Sequence, residues 1–75
     1  MMTLKSKMRV SYRKLRHILI DRDMKKKDLE DLAGITHYQM YKIANDKDLT
    51  TDVIGAICLA LNVGIDDILE FNAEE

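Results

Sequence analysis

The chain has 75 residues, 47% of them apolar, with one cysteine, no proline and a formal net charge of −1. A chain of this length forms one small domain with a modest core, and its lack of proline favours helices with short turns over a β-sandwich. The single cysteine excludes an internal disulfide, and no stretch is apolar enough for a signal peptide or a membrane span, so we expect a cytoplasmic protein without a membrane partner.

The charges divide unevenly along the chain. All 12 lysines and arginines lie at or before Lys47, together with six acids, whereas the residues after it hold seven acids and no base. Such an asymmetry between halves suggests contact with nucleic acid, although small charged domains also divide unevenly by chance.

We predict three parts in the chain: a basic N-terminal segment at residues 1–10, a folded domain at residues 11–71 and an acidic tail at residues 72–75. The N-terminal segment alternates basic and apolar residues, a pattern typical of a short strand. An arm that follows DNA is the alternative, but disorder or strand pairing explains the pattern better. The basic residues concerned are Lys5, Lys7 and Arg9.

The apolar periodicity predicts an all-α domain of five helices. They lie at about residues 12–22, 26–33, 37–45, 50–62 and 66–69. The expected N-caps are Ser11 for the first helix, Thr50 or Thr51 for the fourth, and Asp66 for the last. The apolar side chains expected on the inner faces of the first, third and fourth helices are Tyr12, Leu15, Ile18, Leu19, Met40, Ile43, Ile54, Ile57, Cys58 and Leu61.

The second and third predicted helices meet at a glycine. Leu29 and Leu32 recur at helical spacing before Gly34 interrupts the pattern. Thr36 and Gln39 stand three residues apart and predict a capping box at the start of the third helix. A helix, a glycine turn and a capped second helix form a helix-turn-helix, whose second helix enters the major groove of DNA.

The order of these elements resembles the lambda-repressor-like helix-turn-helix family of Cro and phage-repressor regulators. The resemblance covers about residues 10–71. The positions that match are Leu29, Gly34, Ile35, Thr36, Met40, Ile43, Asn45, Leu49, Thr50, Ile57, Cys58, Leu61, Asn62, Asp67, Ile68 and Leu69.

This resemblance implies a transcriptional regulator of bacterial or phage type, a repressor, which binds double-stranded DNA as a homodimer through the helix-turn-helix in helices two and three. It also implies a short two-stranded ribbon between about residues 8–10 and 69–72. Three positions depart from the family pattern: Lys26 replaces glutamine, Glu30 replaces alanine and Asp46 replaces glycine. We expect the Glu30 carboxylate either to turn out to solvent or to push the two helices apart.

The resemblance places base-contacting residues on the third helix. These are His37, Tyr38 and Lys42, with Tyr41 one turn beyond His37. Lysine and histidine can donate to guanine O6 and N7, and tyrosine can pack against a thymine methyl. The alternative is that the tyrosines only cover the outer face of the helix and that the histidine is merely solvated.

Phosphate contacts are expected at the N-termini of the second and third helices and in the turn after the third. The candidates are Lys25, Lys26, Lys27, Thr36, Asn45 and Lys47. Backbone N–H groups at a helix N-terminus bind anions. The three consecutive lysines are otherwise a solvated charge run, but cations there oppose the helix dipole, a conflict that a bound phosphate would relieve.

A further apolar surface is predicted on the fourth helix and the tail, formed by Gly55, Leu59 and Phe71, and Ile20 on the first helix is likewise not assigned to the core. Exposed apolar patches mark protein contacts, so we expect a dimer interface, unless the last helix or the tail covers it. A rival interpretation is an antitoxin or an interaction adaptor that retains the helix-turn-helix fold. Glu30, the acidic second half and the exposed apolar face of the fourth helix favour it.

The sequence does not predict an enzyme. Cys58 lies in an apolar run and is best explained as a small core residue, and His17 and His37 lack ligand-spaced partners for a metal. We therefore expect no metal, no cofactor and no small-molecule substrate.

Overall fold

The computed structural model describes residues 7–74. In chain order they form β1 (Lys7–Ser11), α1 (Arg13–Asp21), α2 (Lys26–Ala33), α3 (His37–Ala44), α4 (Thr51–Leu61), a 3₁₀ turn (Ile65–Asp67) and β2 (Glu70–Glu74). No helix within this part of the chain is both long and apolar enough to cross a membrane.

The prediction of a fifth α-helix is wrong, because residues 7–74 contain four α-helices and a single 3₁₀ turn in its place. Gly64, not Asp66, precedes this turn, and its N–H donates to Asp67 Oδ2 over 2.9 Å. Ile68 is buried, and β2 begins at Glu70. The chain is thus drawn into a strand before a second helical turn can form.

The predicted ribbon is confirmed. Strands β1 and β2 pair antiparallel, with Val10 opposite Phe71 and Ser11 opposite Glu70. The pairing extends the ribbon to five residues on each strand. Lys5, a candidate for the alternative DNA-following arm, lies outside the described residues.

The ribbon also explains why the expected cap of the first helix is wrong. Ser11 is still part of β1, so Tyr12 takes the N-cap position and α1 begins at Arg13. The Ser11 hydroxyl nevertheless accepts from the Arg13 N–H, at 3.3 Å. The Tyr12 side chain is buried, as predicted.

One core holds the helices and the ribbon together. Its buried residues are Val10, Tyr12, Leu15, Leu19, Leu29, Ile35, Met40, Ile43, Ile57, Leu61 and Ile68. Ile18, Ile54 and Cys58 are partly buried against it, whereas Leu32 faces solvent. Helix α2 packs against both α3 and α4, and this packing fixes the orientation of α3 relative to the rest of the domain.

Candidate nucleic-acid interface

The turn between α2 and α3 is closed by Gly34 in the left-handed region, at φ 71° and ψ 31°. Glycine adopts this conformation without the steric cost that other residues meet. The N–H groups of Gly34 and Ile35 both donate to the Glu30 carbonyl, at 2.9 and 3.1 Å. Ile35 is buried and anchors the turn. The predicted glycine turn is therefore confirmed.

The capping box at the start of α3 is also confirmed. The Gln39 N–H donates to the Thr36 hydroxyl at 3.1 Å, and the Thr36 N–H donates to the Gln39 side-chain oxygen at 2.8 Å. Met40 and Ile43, on the inner face of α3, are buried in the core. The capping box satisfies backbone groups at the N-terminus of α3, and the two buried side chains anchor its inner face. The opposite face of α3 therefore points to solvent.

The outward face of α3 carries an aromatic pair. Tyr38 and Tyr41 are 63% and 50% exposed. Their rings stack with centroids 6.0 Å apart and an angle of 11° between planes. Lys42 Nζ lies 5.0 Å from the centroid of the Tyr38 ring, a cation–π distance. These three side chains and that of His37 form the outer surface of α3.

Glu30 follows neither of the two expected courses. Its carboxylate turns toward α3, where Oε2 lies 3.1 Å from His37 Nδ1. The Glu30 side chain is 15% exposed and the His37 side chain 92% exposed. Helices α2 and α3 remain packed together. The acid is therefore accommodated in the angle between the helices by a hydrogen bond to the first residue of α3.

The lysines at the start of α2 differ in their surroundings. Lys26 is exposed, and Lys27 pairs with Asp31 at 3.7 Å, one helical turn away. The Lys25 backbone N–H donates to Asp28 Oδ2 at 2.8 Å, so an acid already neutralises part of this helix end. Lys25 and Lys26 also line an apolar groove of about 320 Å³ beside Met40.

The other phosphate candidates lie at the two ends of α3. Thr36 has its hydroxyl and N–H engaged in the capping box. Asn45 Nδ2 donates to the Tyr41 carbonyl at 2.8 Å. Lys47 is exposed and lies with His37 and the two tyrosines around one open concave surface.

Two side chains of the N-terminal part of the domain, Arg16 and Tyr12, position this end of α3 through contacts that the sequence did not predict. Arg16 Nη1 donates to Asp46 Oδ1 at 2.9 Å and to the Ile43 carbonyl at 3.0 Å. The Tyr12 N–H donates to the same Asp46 oxygen, and its hydroxyl donates to the Lys47 carbonyl at 2.7 Å. They are 27 to 35 residues apart in the chain from the groups they hold, so no local pattern reveals them.

The same network shifts two pKa values. The hydrogen bond from Arg16 lowers the pKa of the Asp46 carboxyl, against a smaller opposing effect of burial. Burial, aided by the nearby charges of Asp48 and Asp46, raises the pKa of Tyr12 to about 12. The Tyr12 hydroxyl therefore stays a neutral donor even at alkaline pH, where an unperturbed tyrosine begins to ionise.

The residues of the predicted dimer face lie on separate elements. Gly55 and Leu59 are one turn apart on α4, and Leu59 is 84% exposed. Phe71 lies on β2 and is 59% exposed, although its partner Val10 on the same ribbon face is buried. All three surfaces are accessible in the isolated chain.

Cys58 lies on α4 and is partly buried against the core. Desolvation raises the pKa of its thiol, and the negative charge of Asp67 raises it further. A thiol kept protonated in this way is a poor nucleophile. Among residues 7–74, no group of three or more histidine, cysteine or acidic side chains is arranged to hold a metal ion.

Comparison with known proteins agrees with this geometry. Residues 14–74 match the family model of the Cro/C1-type helix-turn-helix DNA-binding domain. Among solved structures, the chain is similar to the crystal structure of the transcriptional regulator VanUg, Form II, at 39% identity and a TM-score of 0.86. That alignment covers 99% of this chain and 100% of the other. A search of curated proteins finds no match. The matched region includes all of α2 and α3.

Proposed function

Because the chain belongs to the Cro/C1-type helix-turn-helix DNA-binding family, we propose that it is a sequence-specific transcriptional repressor that reads the major groove of duplex DNA with α3. The observation that carries this proposal is the outer surface of α3, which is directed away from the core. The left-handed turn at Gly34 and the capping box at Thr36 and Gln39 fix this orientation. An α-helix of this kind fits the width of the major groove.

The side chains of the outer surface supply the chemistry that base readout needs. Lys42 offers a cation that can reach guanine O6 and N7, and His37 a ring nitrogen. Tyr38 and Tyr41 present hydroxyls and ring faces for thymine methyls and sugars. The cation–π contact holds Lys42 beside Tyr38, which reduces the entropy lost when both engage one base step.

Phosphate contacts from both ends of the motif would set the register of α3 in the groove. Lys26 and Lys25 stand at the N-terminus of α2, and Lys47 follows α3. The charge division of the chain supports this orientation, since every lysine and arginine lies at or before Lys47. The acidic second half would face away from the phosphates.

We propose further that two copies bind one operator. A symmetric dimer reads two half-sites about 34–36 Å apart, whereas one small domain covers a single half-site. Two features of α4 support a second copy as the occupant of the apolar surface. Leu59 is 84% exposed and would be buried by a partner, and Gly55, one turn earlier, has open space around it that would let a second helix approach closely. The ribbon offers Phe71 for the same purpose, since this side chain is 59% exposed on β2.

Selection of bound sites from a random duplex library tests the proposal. We expect enrichment of a palindromic site, followed by a binding constant that falls steeply with salt on both selected and scrambled duplexes. A selected site that binds no better than the scrambled one would contradict sequence-specific reading.

An adaptor or antitoxin is the second candidate function, favoured by the exposed apolar residues Leu59 and Phe71. The two candidates differ in their behaviour toward polyanions. A DNA-binding chain is retained on heparin at low salt and released at moderate salt, whereas an adaptor without DNA affinity is not retained.

A further inference from the structure

Glu30 connects the two helices of the motif through both its backbone and its side chain. Its carbonyl accepts from the N–H groups of Gly34 and Ile35, which closes the turn. Its carboxylate Oε2 lies 3.1 Å from His37 Nδ1. The carboxylate is 15% exposed, while the imidazole is 92% exposed. The acid is therefore held between the helices, and the ring that it contacts stands out in solvent.

This contact determines which nitrogen of His37 carries the proton. An ionised carboxylate has only acceptor oxygens, so the hydrogen of the contact belongs to His37 Nδ1. A neutral imidazole has one N–H and one acceptor nitrogen, which leaves Nε2 as an acceptor. No group within residues 7–74 forms a hydrogen bond with Nε2. The neutral ring thus presents an unoccupied lone pair to whatever approaches α3.

We propose that Glu30 is a specificity-determining positioning residue, which fixes His37 as a hydrogen-bond acceptor toward the base it faces. The inference rests on the proposed function and deepens it. In the major groove, cytosine N4 and adenine N6 donate, whereas guanine presents only the acceptors O6 and N7. His37 held in this way favours cytosine or adenine over guanine, the reverse of the donor role expected from the sequence.

A purely structural role for Glu30 makes a different prediction. A carboxylate near the N-terminus of α3 stabilises the helix through its dipole, and the same negative charge repels DNA phosphates. Removing it for that reason alone would change stability and the affinity for every sequence, but not the choice of base. Asp31 is the matched control, because it is an exposed acid on the same helix and pairs with Lys27 instead of His37.

The first measurement needs no DNA. Nitrogen chemical shifts of His37 in the free protein at pH 8, where an imidazole in water is neutral, report which ring nitrogen is protonated. We expect Nδ1–H in the unaltered chain and in Asp31→Ala, and a shift toward the Nε2–H form in Glu30→Ala. Nε2–H as the main form of the unaltered chain would overturn the proposal without requiring any variant to fold.

The second measurement compares affinities for duplexes that differ at each base pair of a selected site, also at pH 8. At one base pair of each half-site we expect the unaltered chain and Asp31→Ala to prefer cytosine or adenine over guanine by roughly three- to tenfold. Glu30→Ala should lose this preference, and should cause no further change when combined with His37→Ala.

Each result of the second measurement decides the matter. An unchanged preference in Glu30→Ala overturns the role of Glu30 while leaving the proposed function intact. Absence of duplex binding by the unaltered chain overturns the proposed function, and with it the base-reading role. In that case the chemical shifts still establish whether Glu30 fixes the tautomer of His37.

Discussion

Arg16 Nη1 lies 2.9 Å from Asp46 Oδ1, an ion pair that ties α1 to the turn after α3. Arg16 also donates to the Ile43 carbonyl, and the Tyr12 N–H donates to the same carboxylate oxygen. The end of α3 is thus fixed by the beginning of α1. Because base reading by α3 would require a defined angle for this helix, the pair links stability to the proposed function.

The Asp46–Arg16 pair makes stability depend on pH. The folded-state pKa of Asp46 is lowered, chiefly by the Arg16 hydrogen bond. Its contribution is therefore present above the unfolded-state pKa of about 4 and is lost as pH falls through the folded value. Asp46→Asn should lower the free energy of unfolding by about 1 kcal/mol at pH 7, with a smaller loss at pH 3, as measured by urea unfolding.

Asp23→Asn is the control for that comparison. Asp23 has nearly the same left-handed backbone, with φ 56° against 54° for Asp46. Asparagine tolerates this region at both positions, and Asp23 makes no ion pair among the described residues. We expect little pH-dependent change there. An equal loss at pH 3 and pH 7 for Asp46→Asn would argue against the ion pair as the cause.

Two glycines should respond to alanine with opposite signs. A Cβ at Gly34 or Gly55 meets no heavy atom within 4 Å, so only the backbone decides. Gly34 has φ 71°, and Gly34→Ala should lose about 1–2 kcal/mol of stability. Gly55 lies inside α4, and Gly55→Ala should gain roughly 0.5–1 kcal/mol. Thermal unfolding at low protein concentration measures both, and changes of the same sign would contradict the argument.

Lys26 and Lys42 should differ in how they affect DNA binding. Lys26→Ala removes a phosphate contact, so all sequences should weaken alike and the slope of log K against log salt should fall by about 1. Lys42→Ala should cost roughly 1–3 kcal/mol on the selected site and little on a scrambled duplex. Fluorescence anisotropy at several salt concentrations measures the affinity of each variant for the selected and the scrambled duplex. Equal losses on both duplexes for Lys42→Ala would remove it from base readout.

Leu59 tests the proposed dimer. Leu59→Lys should shift sedimentation velocity toward the monomer, because a buried charge at an apolar interface is costly. Ile20→Lys is the matched control, since Ile20 is also exposed, at 73%, but lies on α1. We expect no shift for it. A chain that is monomeric at high concentration before any substitution would exclude the dimer.

The motif could be predicted from the sequence because its signals are local. The bounds of α2 follow from apolar spacing that ends at Gly34, and the start of α3 follows from Thr36 and Gln39. The alternation of the N-terminal segment predicted a strand there, but its pairing with the C-terminal segment was predicted only through the family resemblance. The pairing of Ser11 with Glu70 joins the two ends of the domain, and this long-range contact displaced the expected helix cap and the fifth helix.

The contacts that shape the candidate site could not be predicted in the same way. Glu30 was expected to turn to solvent or to separate the helices, yet it meets His37 seven residues later. Only the geometry of the turn brings these two side chains together. The Arg16–Asp46 pair spans 30 residues, and no periodicity or motif distinguishes it from other exposed charges.

Methylation interference on the selected site shows whether α3 lies in the major groove, on which the proposed function depends. Methylation of guanine N7 marks the major groove and methylation of adenine N3 the minor groove. We expect interference at guanine N7 positions in two half-sites, and its loss at one of these positions in each half-site when Lys42 is replaced by alanine. Interference confined to adenine N3 would contradict it.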